Sequence, residues 1–163
     1  MPVSRQNVVS PAAARRARLL LLASAVVACG SSSGSGPEQG VLRVAGDYAT
    51  AVSLTSSTCP GIAVQNMPTA VAHAPGATTL SLSHASLTYQ GTVQGDGRFT
   101  TTPRTVNVPG EAHTLSIAGR FTTTGFDATV SVAVTRDAAP QACAYEVRWV
   151  GTKQGGANVI PGA

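Results

Sequence analysis

A chain of 163 residues with eleven Lys and Arg against seven Asp and Glu carries a formal net charge of +4, but the excess sits at one end. Four of the eleven basic residues, Arg5, Arg15, Arg16 and Arg18, precede residue 29, and none of the seven acidic ones does. From residue 29 onward the signs balance at seven each, which removes the electrostatic footprint expected of a nucleic-acid or anionic-surface binder.

The N-terminal arginines precede a largely apolar run without charge, Leu19 to Ala28. At about ten residues it is short of the ~20 that a membrane-spanning helix needs. A basic start, a short apolar middle and a small residue at the end describe an export signal. The residues around Arg15-Arg16 do not fit the twin-arginine motif. Val26-Val27-Ala28-Cys29 resembles the lipobox of bacterial lipoproteins, with Val where Leu is favoured. That resemblance implies cleavage before Cys29, palmitate-type acylation of Cys29, and a domain held to the cell envelope outside the cytoplasm. Gly30 is not the Asp associated with inner-membrane retention, which points to the outer membrane in a cell with two. Gly30 to Pro37 has the composition of a flexible tether. The expected organisation is a signal peptide over 1–28, a linker over 29–40, a β domain over 41–155 and a tail over 156–163.

With Cys29 assigned to lipid, Cys59 and Cys143 remain, an even pair in an oxidising compartment. Their bridging closes a loop of 84 positions; two buried free thiols are the alternative. Residues 29–163 suffice for one domain with a real core.

Beyond the linker the chain is rich in Thr, Val, Ser, Ala and Gly, which favours strands. Eight are expected, over about 41–54, 63–73, 78–83, 86–94, 97–108, 112–122, 126–136 and 143–152, where apolar and polar residues tend to alternate. The pattern is cleanest in Phe126, Ala128, Val130, Val132 and Val134. Gly95-Asp96-Gly97 and Thr123-Thr124-Gly125 mark tight hairpins. Pro103 within a Thr-rich run predicts a bulge or an edge. Short connections favour an all-β antiparallel meander. Cys59 follows the first strand and Cys143 opens the last, and these ends are neighbours if the sheet closes. An up-and-down barrel is therefore expected over a two-sheet sandwich.

Chemistry is sparse. His73, His84 and His113 show no metal-ligand spacing, no G-x-S-x-G elbow is present, and Asp47, Asp96, Asp127 and Asp137 form no obvious pair. His84 falls at a turn and reads as solvent-exposed. Glu146 and Arg148 share a strand face and are placed to pair with neighbouring strands. No catalytic residue, metal or cofactor is assigned. The aromatics fall on strands and read first as core. The sharper alternative is a cavity lined by Tyr48, Tyr89, Tyr145 and Trp149 holding a small apolar ligand. Gly46-Asp47-Tyr48 resembles the G-x-W of lipocalins, with Tyr for Trp, and implies only a similar barrel. The function expected first is a non-catalytic envelope domain with a structural or protein-interaction role, and the alternative is a small-ligand-binding barrel. An envelope hydrolase stands behind both.

Overall fold

Alternation along the chain becomes a ladder of strands in the computed structural model, which describes residues 40–136 and 142–162. These are β1 (Gly46–Ser57), β2 (Thr69–Ala72), β3 (Thr79–His84), β4 (Leu87–Val93), β5 (Arg98–Thr101), β6 (Arg104–Val108), β7 (Glu111–Thr122), β8 (Gly125–Arg136) and β9 (Cys143–Lys153). On β8, Phe126, Ala128, Val130, Val132 and Val134 are buried while the intervening residues face out, as a period of two requires.

Every pairing is antiparallel. β1 pairs with β9, so eight strands close into an up-and-down barrel and β6 adds a ninth. The fold expected from sequence is the fold observed. Closure removes the edges of the eight barrel strands where they pair on both sides, and β6 keeps one free edge, pairing with β7 alone among the described strands. The stretch 97–108 is broken at Thr102-Pro103. β5 pairs with the C-terminal half of β7 and β6 with its N-terminal half, the register slipping one residue between Thr100↔Ala118 and Arg104↔Leu115. Proline has no N–H for the ladder, and one extra residue is the signature of a bulge.

Two segments leave the sheet where alternation alone would extend it. Residues 41–45 make a single bridge, Arg43↔Val159, with Leu42 and Val44 buried; Gly46, at φ 140°, turns the chain into β1. β2 begins only at Thr69, directly after Pro68. The preceding stretch has Ile62 and Val64 packed on the core. Asn66 Oδ1 accepts the Val52 N–H at 2.8 Å, a donor that a longer β2 could have engaged.

The two barrel ends differ. At one, Tyr48, Phe99, Phe121 and Phe126 interlock, with centroid separations from 4.7 to 6.3 Å. Gly151 makes room for the Phe126 ring: a Cβ there would lie 2.2 Å from it. Residues 156–160, expected as a tail, close this end. Ile160 joins the core, and the Asn158 side chain, 4% exposed, is fully engaged. Its Nδ2 donates to the carbonyls of Thr122 and Gly125 at 2.7 and 3.1 Å. Its Oδ1 lies 2.8 Å from Tyr48 Oη and accepts from Lys153 Nζ at 2.7 Å. At the opposite end Cys59 and Cys143 form the expected disulfide, Cα–Cα 5.1 Å, joining the end of β1 to the start of β9.

Candidate functional site

The disulfide end is the open one. A pocket of about 350 Å³ sinks into the barrel there. Tyr89, Tyr145 and Trp149 line it, inward-facing residues of β4 and β9, together with Leu115 on β7 and Val130 and Val132 on β8. Val64 and Met67, from the segment between β1 and β2, reach over it. That segment stays near the rim because Cys59 ties its start to β9 and Asn66 its end to β1. The volume falls within the range usual for small-molecule sites.

Three of the four aromatics expected around a cavity are thus brought together. Tyr48 is not. It lies at the plugged end, 0% exposed, with its hydroxyl 2.6 Å from the Val44 carbonyl, and burial pushes its pKa up to about 12. Its parity is inward like that of the others. Parity specifies the face of a strand but not the level along the barrel axis, which depends on strand tilt and stagger.

His84 corrects the expectation of an exposed turn residue. It closes β3, while Ala85 and Ser86, at φ 47° and 69°, make the turn. Leu80, Leu82 and His84 point inward in succession, a signal already present in the sequence. His84 is buried, at 9% exposure, and its ring stacks on Trp149 at 4.0 Å between centroids. Its Nδ1 lies 2.9 Å from Thr69 Oγ1, which lies 2.8 Å from Thr50 Oγ1. Both threonines are buried. Burial lowers the His84 pKa and raises those of Tyr89 and Tyr145. All three therefore favour their neutral forms near pH 7, and no charged residue lines the pocket. The Arg104 guanidinium stands 6.0 Å from the Tyr89 centroid and bonds the Thr88 carbonyl.

Several of the remaining polar residues have structural partners. His73 Nε2 donates to the Ala77 carbonyl at 2.9 Å, and His113 Nε2 is 3.0 Å from Glu111 Oε2. The three histidines do not converge, and no group of three potential metal ligands occurs among the described residues. Arg148 pairs with Asp127 across β8 and β9, and Glu146 accepts from Ser131 at 3.3 Å. Asp96 caps its hairpin through the Arg98 N–H. Cys29 and its surrounding motif lie outside the described residues. In comparisons of sequence and of fold, the chain matches no protein-family model, no curated protein and no solved structure, so the pocket is read from its own residues.

Proposed function

We propose that this chain is an envelope lipoprotein, anchored through Cys29, whose barrel holds a small uncharged apolar ligand at its open end. The carrying observation is the pocket of about 350 Å³ walled by Tyr89, Tyr145, Trp149 and aliphatic side chains. An apolar cavity of about 150 Å³ suffices to bind benzene, so a molecule of two fused rings is a reasonable size for it. Neutral walls disfavour an ionic guest, since a charge would be desolvated there without a partner. The anchor is supported by the apolar run that follows the arginines, the lipobox resemblance and the tether composition.

The single tryptophan of the chain lines the pocket, so intrinsic fluorescence reports on it directly. Titration with N-phenyl-1-naphthylamine, a neutral apolar probe, should change Trp149 emission saturably. Tyr145→Ala should weaken binding without unfolding the barrel. Absence of any saturable change overturns ligand carriage and leaves an interaction domain as the better account. Labelling cells with a fatty-acid analogue should mark the wild type and not Cys29→Ser; equal labelling overturns the anchor.

A further inference from the structure

The pocket wall includes an imidazole whose hydrogen bonding on one side is specified by two buried threonines, and which also borders a second depression beside Ala70 and Ser83. Thr50 Oγ1 lies 2.8 Å from Thr69 Oγ1 but 3.4 Å from the Tyr48 carbonyl, its other acceptor. The angular geometry of the 2.8 Å contact fits Thr50 as the donor and Thr69 as the acceptor. Thr69 Oγ1, now accepting, directs its own proton to His84 Nδ1 at 2.9 Å. A neutral imidazole carries one ring proton, so that proton resides on Nε2. No described residue bonds this Nε2, and it is absent from the fully buried, unpartnered atoms, of which His73 Nδ1 is one. The ring itself is clamped face-on against Trp149, and it is a wall of the pocket.

We propose that His84 is the specificity-determining residue of this pocket, its Nε2–H donating to a carbonyl-type acceptor on an uncharged planar ring ligand. The inference rests on the ligand-carriage reading above and adds the ligand's chemical class. The two threonines are positioning residues: they hold the tautomer and contact no ligand themselves. Burying the donor against an acceptor-free guest leaves it unpaired, and that penalty is the source of selectivity. Tyr89, Tyr145 and Trp149 supply the apolar contact area for the ring.

Two probes of matched shape separate the ideas. 2-Acetylnaphthalene carries a carbonyl oxygen where 2-isopropenylnaphthalene carries a methylene. On His84→Phe the ratio of their Kd values should move about two- to tenfold towards the hydrocarbon, while the hydrocarbon still binds. Tyr145→Phe should leave that ratio in place. If both probes bind and His84→Phe leaves the ratio unchanged, or Tyr145→Phe shifts it instead, the His84 assignment is overturned and ligand carriage stands. If neither probe binds the wild type, both are overturned. A second measurement does not depend on a variant folding. In wild-type protein labelled at histidine with heavy nitrogen, magnetic resonance should show His84 protonated at Nε2 and bare at Nδ1. The Nε2–H signal should shift on adding the ketone more than on adding the hydrocarbon. A ring protonated at Nδ1 overturns the proposal.

Discussion

Asn158 shows how much one polar side chain can organise. Its oxygen and nitrogen meet Tyr48, Lys153, Thr122 and Gly125, tying β1, β9 and the β7–β8 turn to a segment with no regular structure. Asn158→Ala should cost about 2–4 kcal/mol in denaturant unfolding, because it strands several buried partners at once. A loss below about 0.5 kcal/mol, the size of an ordinary surface change, would show that water replaces the amide. Nothing in Ala157-Asn158-Val159 announces this role. Asn in a Gly-rich stretch reads as a loop residue, and its partners are separated from it by up to 110 positions. His84 is the opposite case. Its inward parity with Leu80 and Leu82 is written in the sequence, but its nearness to Ala85-Ser86 hides it. Trp149 and Tyr145 were legible for a simpler reason: they alternate with polar residues on the last strand, so only one face was available to them.

Among the elements, β1 and β9 carry closure. Their seam joins the first strand to the last, and it is stapled at the rim by Cys59–Cys143 and by Thr58, whose N–H donates to the Ala144 carbonyl at 2.8 Å. Replacing both cysteines by serine should lower stability by roughly 4–5 kcal/mol, the chain-entropy figure for a loop of this length. Probe affinity should fall in parallel, since the segment carrying Val64 and Met67 loses its fixed start. An unchanged denaturation midpoint would show that the unfolded chain is already constrained by other means. Element boundaries were legible where turn chemistry is strong, as at Gly95-Asp96-Gly97 and Gly125. They were lost where proline and packing compete with alternation. Val64 satisfies its hydrophobicity by covering the mouth rather than by extending β2, and Pro68 sets where pairing begins. Pro103 was readable as a bulge because a missing N–H has only a few tolerated positions in a sheet.

At the scale of the whole molecule, the barrel is a vessel with one stopper. Aromatic rings and the 156–160 segment fill one end, while β6 and the segment before β2 border the other. Local opening should follow that division. Amides of β8 near Phe126 should exchange with solvent more slowly than those of β6, which pairs with β7 alone among the described strands. Equal protection at both would mean that the barrel opens only as a unit. The all-β architecture and its closure were legible because short connections leave a meander few alternatives. The two ends were not distinguishable, because filling depends on which side chains share a level across non-adjacent strands. The route by which the chain enters the vessel matters in its own right. Residues 42–44 join at the stoppered base, where Arg43 meets Val159 and Val44 meets Tyr48. The described chain therefore starts at the stoppered base, and the pocket opens at the other end of the barrel, a full strand length of β1 away.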